Sequence, residues 1–288
     1  MQNIVADNKY IKDNLPIRAA DANKGDCGRL LLIAGSYGMA GACIMAARAA
    51  LRCGVGILQI AVDSKIYPIV AAAVPEAVFT VLNFDDDENI SDSFAGLNTA
   101  LENCTACVVG CGLGKLSGHI CPHVFDNCNR PLLIDADGIN YVAKNPKVLE
   151  KCAAPLILTP HPKEMSRLTG KSVEQIQGKR KENAVETAKK LNAVLLLKGE
   201  HTIISSSLGD FAINPTGNEG MAKGGSGDVL SGIIGSLCAQ GVLPFEAAVS
   251  GAYIHGMAGD ICAGKFSKRA MLPTDLIEEL PTVFRQFE

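Results

Sequence analysis

The stretch RLLLIAGSYGMAGACIMAARAALRCGVGILQIAV, residues 29–62, reads as strand, helix and strand in succession. Residues 29–35 and 56–62 are short apolar runs of strand length. Between them, a turn rich in Gly, Ser and Ala leads into the alanine-dense segment Ala40–Cys53, which Gly54 follows. Glycine is common just past a helix C-terminus, so we predict a helix that ends there. Short apolar strands that alternate with helices indicate a parallel sheet.

The same alternation continues along the chain. Further apolar runs of strand length occupy residues 77–82, 106–110, 131–135, 155–159 and 193–199, with helix-like segments between most of them. A β-hairpin is predicted around Leu208–Gly209–Asp210, and helices are predicted near 226–241, 245–263 and 273–286. We therefore predict an α/β fold with a mostly parallel central sheet, helices on both faces, and a C-terminal hairpin and helices. No linker interrupts the chain, so we expect one domain over residues 1–288.

Composition excludes several classes of function. The chain has 288 residues, 48% of them hydrophobic, and a net charge of -3, so it lacks the basic surface that nucleic acid requires. No apolar stretch approaches the length of a membrane span, and the polar N-terminus lacks a signal peptide, so we expect no membrane partner and a cytoplasmic location. The 11 cysteines are then expected to be reduced thiols. A zinc site at Cys104 and Cys107 is disfavoured, because we predict both on one strand with side chains on opposite faces.

A glycine-rich segment, KGGSGD at residues 223–228, directly precedes a predicted helix. The backbone N–H groups of Gly225 and Gly227, together with the positive end of the helix dipole, form a favourable site for a phosphate group. Asp228 in the first helical turn fits two roles. It can act as a general base, or it can simply cap the helix. The segment alone does not separate the two.

Three further sets of polar residues follow predicted strands, where open α/β sheets build their sites. His161 lies between two prolines after the strand at 155–159, and Lys198 ends the strand at 193–199. Each can also be an ordinary surface residue. Asp135 and Asp137 follow another strand and suit either hydrated magnesium or a helix cap.

These segments, in this order, resemble the ADP/ATP-dependent NAD(P)H-hydrate dehydratases, a family with the ribokinase-like fold. The resemblance runs over about residues 24 to 282 and rests on seven motifs: KGDCG (24–28), LLIAGSYGMAGA (31–42), GCGLG (110–114), DADGIN (135–140), LTPHPKEMSRL (158–168), LLKGEHT (196–202) and NEGMAKGGSGDVLSGIIGSLCAQG (218–241). Four positions depart from the usual pattern: Lys223 and Ser226 replace Thr, Cys111 replaces Pro, and Gly138 replaces Ala. Lys223 either adds a cation beside the phosphate site or faces water.

The resemblance implies an activity. The S epimer of hydrated NADH or NADPH is dehydrated to NAD(P)H, driven by hydrolysis of ADP or ATP to AMP or ADP and phosphate, with Mg²⁺ as cofactor. Phosphorylation of the C6 hydroxyl would convert a poor leaving group into a good one. The alternative is a vitamin kinase of the same fold, of the thiazole or hydroxymethylpyrimidine type.

The resemblance also implies roles for individual residues. Asp228 is the expected base, with Gly225, Ser226 and Gly227 as the phosphoryl-binding groups. Substrate contacts are expected from Ala42, Gly114, His161 and Asp228. Nucleotide contacts are expected from Lys198, Gly199, Glu200, His201, Thr202 and Gly227. No residue is assigned as a metal ligand. A homotetramer and a functional pairing with an NAD(P)H-hydrate epimerase are also expected.

Overall fold

The computed structural model describes residues 2–288 and contains one ten-stranded sheet within them. Its strands are β1 (Asn3–Ile4), β2 (Arg29–Ile33), β3 (Ile57–Asp63), β4 (Val78–Leu82), β5 (Ala106–Val109), β6 (Leu132–Ile134), β7 (Leu156–Leu158), β8 (Ala193–Leu197), β9 (Ile203–Ser205) and β10 (Phe211–Ile213). Their order in the sheet is β1-β10-β9-β8-β7-β6-β5-β2-β3-β4. Strands β2 to β8 pair in parallel, and β9 is antiparallel to both β8 and β10. The predicted parallel sheet and the hairpin are therefore confirmed.

Twelve α-helices cover this sheet within residues 2–288. They are α1 (Asn8–Asn14), α2 (Ala40–Arg52), α3 (Tyr67–Ala73), α4 (Asp87–Asn103), α5 (Ser117–Asn127), α6 (Ala136–Lys144), α7 (Pro162–Thr169), α8 (Val173–Gly178), α9 (Arg180–Leu191), α10 (Ser226–Ala239), α11 (Pro244–Phe266) and α12 (Pro273–Phe284). Short 3-10 turns lie at Gly114–Leu116 and Glu219–Met221. The three helices predicted at the C-terminal end correspond to α10, α11 and α12.

Two hydrophobic cores lie on opposite faces of the sheet. Leu30 and Leu32 of β2 face the core that includes α2, α10, α11 and α12. Leu31 and Ile33 face the core that includes α4 to α9. Alternate residues of a strand point to opposite faces, so a fully buried strand reads as the continuous apolar run seen in the sequence.

Helix α10 lies close to α2 and to the centre of the sheet. A methyl group on Gly232 would collide with the carbonyl oxygen of Ala46, and one on Gly235 would collide with the side chain of Val108. Close approach of this kind is a use to which glycine is suited. It brings the N-terminus of α10 to the carboxyl edge of the parallel strands.

Two details differ from the sequence prediction. Cys104 is not on the same strand as Cys107; it follows the C-terminus of α4, and β5 begins only at Ala106. Strand β1 was not predicted, because two residues are too short to show a periodic pattern. Among residues 2–288, no helix combines the length and apolar character needed to cross a membrane.

Candidate functional site

The carboxyl ends of three neighbouring strands bring together polar side chains that are distant in sequence. Asp135 follows β6, Thr159 follows β7 and Lys198 follows β8. The Thr159 hydroxyl donates to Asp135 Oδ1 at 2.7 Å, and Lys198 Nζ donates to the same oxygen at 2.8 Å. From α10, the Ser231 hydroxyl donates to Asp135 Oδ2 at 2.9 Å. The Cys111 thiol also donates to Asp135 Oδ2 at 3.9 Å, so Asp135 is a buried carboxylate that accepts from four side chains.

The Asp135–Lys198 pair keeps both charges despite its burial. Burial raises the pKa of Asp135, but the charge of Lys198 and three of these hydrogen bonds outweigh it and hold that pKa below its ordinary value. Burial likewise lowers the pKa of Lys198, and the charges of Asp135 and Glu164 reverse the effect and raise it. The lysine that was expected to contact nucleotide phosphates is therefore a fixed cation with 19% of its side chain exposed.

The N-terminus of α10 opens beside this pair. Gly225 is the N-cap residue with φ 106°, and no side chain caps the helix. A methyl group on Gly227 would lie 3.4 Å from Lys198 Nζ. The first turn therefore combines uncapped N–H groups, the positive end of the helix dipole and a nearby ammonium group, all of which favour an anion.

Asp228 lies in this first turn without capping it. Its carboxylate is held with the Cys111 thiol and Asp135 in a group whose possible ligand atoms all lie within 4.8 Å of one another. Burial, followed by repulsion from Asp135, raises the pKa of Asp228 to about 6. A carboxylate with such a pKa is ionised at neutral pH and more basic than an exposed aspartate, as a general base requires. The geometry therefore favours the general-base role of Asp228 over the helix-cap role.

His161 caps helix α7. Its Nδ1 accepts from the backbone N–H groups of Lys163 at 3.1 Å and Glu164 at 3.2 Å. Because Nδ1 is the acceptor, the ring proton of the neutral imidazole is on Nε2. Burial, then the charge of Lys198, lowers the pKa of His161. The residue is therefore neutral, its Nε2 lies 3.4 Å from Glu164 Oε1, and 44% of its side chain is exposed.

Glu164 links His161 to the buried charges. Its Oε2 accepts from the backbone N–H of His161 at 2.8 Å and lies 4.0 Å from Lys198 Nζ. Burial raises the pKa of Glu164 to about 7. The arrangement connects the strand ends of β7 and β8 through a carboxyl group that the sequence reading did not identify.

The remaining nucleotide-contact candidates form an exposed turn after β8. Gly199 has φ 138°, and the Thr202 hydroxyl donates to the Gly199 carbonyl at 2.9 Å. The side chains of Glu200 and His201 are 93% and 70% exposed. Arg180 of α9 donates to the Lys198 carbonyl and holds the turn. Residues 198–202 are thus contiguous at the site edge, but only Lys198 points inward.

Ala42 and Gly114 lie on the other side of the α10 N-terminus. Ala42 is buried in α2 and packs close to Gly112, where an added methyl group would lie 2.9 Å from its Cβ. The Gly114 N–H donates to Asp137 Oδ2 at 2.7 Å. Asp137 therefore holds the turn after β5, while Asp135 holds Lys198. Neither aspartate makes the side-chain cap that one sequence alternative proposed for Asp135.

Comparison with known proteins identifies the family to which this chain belongs. Residues 30–282 match the family described as NAD(P)H-hydrate dehydratase. The chain belongs to the NAD(P)H-hydrate dehydratase family. The bifunctional NAD(P)H-hydrate repair enzyme of Moorella thermoacetica is 40% identical over 282 residues, which cover 97% of this chain and 53% of that enzyme. The ADP-dependent (S)-NAD(P)H-hydrate dehydratase of Bacillus subtilis is 35% identical, with 97% of each chain covered. The chain spans about half the length of the bifunctional relatives it matches.

Solved structures agree with the family assignment. An ADP/ATP-dependent NAD(P)H-hydrate dehydratase from Bacillus subtilis, co-crystallised with ATP and Mg²⁺, superposes with a TM-score of 0.83 at 32% identity, covering 98% of both chains. A ribokinase-like superfamily protein from Enterococcus faecalis superposes with a TM-score of 0.84 at 26% identity, covering 99% of this chain and 96% of that one. The dehydratase family and the ribokinase-like fold expected from the sequence are confirmed.

Within this dehydratase fold, sequence reading missed several partners. Thr159 and Ser231 carry no motif signal that distinguishes them from ordinary core hydroxyls, and only the fold brings them to Asp135. Lys223 is half-buried and its side chain is held by backbone carbonyls. Its Nζ donates to the carbonyls of Arg269 at 2.7 Å and Met271 at 2.5 Å, which ties the turn before α10 to the loop before α12. The Ser226 hydroxyl is buried and has no hydrogen-bond partner within residues 2–288.

Proposed function

We propose that this protein dehydrates the S epimer of hydrated NADH or NADPH, driven by hydrolysis of ADP or ATP to AMP or ADP and phosphate. The observation that carries the proposal is Asp228: a half-buried carboxylate with a pKa of about 6 in the first turn of a helix whose N-cap is Gly225, close to Lys198. The names of the Bacillus subtilis relatives, which include ADP, ATP and NAD(P)H-hydrate, support the same activity.

The first step in the proposed mechanism is phosphoryl transfer. Asp228 takes the proton of the C6 hydroxyl, whose oxygen attacks the terminal phosphorus of the nucleotide, and the bond from that phosphorus to the bridging oxygen breaks. The N–H groups of Gly225 to Gly227 stabilise charge on the transferring group. The unpartnered Ser226 hydroxyl gains an acceptor in a phosphate oxygen. Lys198 adds a positive charge that Asp135 keeps in position.

The second step is elimination. The lone pair of the ring nitrogen expels phosphate from C6, and loss of a proton from C5 restores the C5–C6 double bond. His161 orients the substrate through its Nε2 proton; it is neutral and its Nδ1 is engaged in the helix cap, so it is not proposed to carry the transferred proton. Ala42 and Gly114 are proposed to bound the hydrate site on the side opposite to residues 198–202.

Magnesium is proposed to arrive with the nucleotide. Mg²⁺ prefers oxygen ligands in octahedral geometry and commonly keeps waters while it binds substrate phosphates. The group formed by Cys111, Asp135 and Asp228 does not fit such an ion. Burial raises the pKa of the Cys111 thiol, which stays protonated, and Asp135 is occupied by Lys198, Thr159 and Ser231. When bound, Mg²⁺ would offset the charge of the nucleotide phosphates.

The wider setting of the enzyme is also a proposal. We infer that residues 1–288 act as one domain in a cytoplasmic homotetramer, paired in function with an NAD(P)H-hydrate epimerase. Eleven free thiols fit a reducing compartment. The bifunctional repair enzymes among the relatives support the pairing.

The proposed function is tested by product analysis. Purified protein is incubated with hydrated NADH, Mg²⁺ and either ADP or ATP, while absorbance of the reduced nicotinamide and release of inorganic phosphate are followed. We expect both signals to rise together in equal amounts. A vitamin kinase would instead leave hydrated NADH unchanged and add the mass of a phosphoryl group to a thiazole or pyrimidine alcohol, and that result would overturn the proposal.

A further inference from the structure

A cavity of about 570 Å³ opens from the substrate side of the site. It begins at Gly114, whose N–H is bound to Asp137, and it continues between α6 and α7. Gly114 is one of the proposed substrate contacts, so this end of the cavity joins the proposed hydrate site. Its volume is in the range of small-molecule sites. The phosphoryl-transfer chemistry proposed above leaves this space unused.

One face of helix α6 forms a wall of the cavity. Asp137, Asn140, Tyr141 and Lys144 all line it. These residues are spaced i, i+3, i+4 and i+7, which places them on the same side of a helix. Seven residues span about 10 Å along a helix axis. The wall therefore runs from Asp137, the carboxylate that binds the Gly114 N–H, to a lysine about 10 Å farther out.

The outer part of the cavity is cationic. Lys144 ends helix α6, and Arg167 reaches in from α7. The Arg167 guanidinium donates through Nη1 to Asn140 Oδ1 at 2.7 Å, and this bond fixes the position of the guanidinium group. Arg167 belongs to α7, the helix that His161 caps. An arginine and a lysine at one end of a cavity fit phosphate oxygens.

We propose that this cavity is the subsite for the diphosphate of the hydrated dinucleotide, with Lys144 and Arg167 pairing with its oxygens. The assignment rests on the proposed function. It specifies where the rest of the substrate lies when the nicotinamide ring is at Asp228. A ribose separates that ring from the diphosphate, and the helix face from Asp137 to Lys144 is long enough to accommodate it. A small vitamin alcohol has no group that reaches these cations.

The nucleotide donor is proposed to lie elsewhere. Residues 198–202 follow β8, whereas Gly114 follows β5, three strands away in the sheet. Neighbouring strands lie about 4.8 Å apart, so the two loops are separated by roughly 14 Å. The cations of the cavity therefore belong to the acceptor side of the site.

The test measures equilibrium binding of NADH and NADPH in the absence of ADP and ATP. The fluorescence of the reduced nicotinamide reports the binding. The variants are Lys144→Ala, Arg167→Gln and the double variant, with Lys147→Ala as control, since Lys147 is exposed and does not line the cavity. Each cavity variant is expected to weaken binding of both NADH and NADPH about tenfold. Binding of reduced nicotinamide riboside, which lacks phosphate, is expected to stay within about twofold, and so is binding by the control.

Several outcomes separate the assignments. A loss confined to NADPH would move Lys144 and Arg167 to the 2′-phosphate and overturn the diphosphate assignment. Weaker ADP binding with unchanged NADH binding would place the donor in the cavity and overturn it as well. If the cavity variants bind NADH and NADPH with unchanged dissociation constants while the unmodified protein turns over hydrated NADH, the diphosphate assignment is wrong and the proposed function stands. Absence of turnover by the unmodified protein would overturn the proposed function. Turnover is measured separately, in the product assay described above.

Discussion

Replacement of Asp135 by asparagine should change the acidity of Asp228 while leaving the shape of the site intact. The two carboxylates have atoms within 4.8 Å of each other. At an effective dielectric constant near 20, their repulsion at that distance is roughly 3.5 kcal/mol. This repulsion is larger than the whole observed effect, because the rise from an ordinary pKa near 3.9 to about 6 corresponds to only ~2.9 kcal/mol. Burial is the larger cause of that rise, so we assign Asp135 about one pKa unit.

The sign of the effect follows from the proposed role of Asp228 as a general base. A general base must be ionised, so kcat/KM should fall as pH decreases through about 6. Asparagine removes the repelling charge and leaves Glu164, 4.0 Å away, as the remaining carboxylate near Lys198 Nζ, and both changes favour ionised Asp228. The acidic limb of the kcat/KM profile should therefore move to about pH 5, although turnover at its maximum falls because Lys198 is less firmly held.

The assay is the pH dependence of kcat/KM for hydrated NADH between about pH 4.5 and 8. Thr159→Val is the matched control, because it removes one hydrogen bond to Asp135 without changing a charge. That control should lose about 1–2 kcal/mol of unfolding free energy and keep the acidic limb in place. An unmoved limb in a folded Asp135→Asn protein would refute the electrostatic reasoning.

Three further predictions concern neighbouring groups. Lys198→Met leaves Asp135 buried and unpaired, so the unfolding free energy in urea should fall by ~3–5 kcal/mol at pH 7. The loss of unfolding free energy should be smaller at pH 5, because the unpaired Asp135 is more easily protonated there. Equal losses at pH 5 and pH 7 would contradict the account. His161→Ala should cost about 1 kcal/mol through the lost cap of α7, whereas His161→Asn should restore the melting temperature but not the KM for hydrated NADH. Gly227→Ala places a methyl group 3.4 Å from Lys198 Nζ, an ordinary contact, so the fold should persist while kcat falls about tenfold or more; an unchanged kcat would argue against phosphoryl binding there.

Much of the fold could be predicted from local pattern. The parallel strands are buried on both faces, and burial makes them continuous apolar runs that a sequence displays directly. The hairpin of β9 and β10 was visible from its turn residues. Strand β1 was missed because its two residues pair only with β10, about 200 positions later. The position of Cys104 depended on the start of β5, and element ends are set by packing that no short window contains.

The site was only partly predictable. Strand ends identify where side chains gather, which is why His161, Lys198 and Asp228 were candidates. The direction of a side chain is decided by its partners. Lys198 points inward because Asp135, 63 residues away, is buried beside it. Lys223 points to the loop before α12 for a similar reason. Such pairings need the tertiary structure.

The central claim is that Asp228 takes the proton of the hydroxyl that becomes phosphorylated. Its most direct test is turnover of hydrated NADH with ADP and Mg²⁺ by Asp228→Asn, measured beside the dissociation constant of ADP. Loss of a general base should lower kcat by between about a hundredfold and ten-thousandfold, while ADP binding stays within about threefold, because the glycine-rich turn and Lys198 are unchanged. A folded Asp228→Asn protein whose kcat remains close to that of the unmodified enzyme would contradict the account.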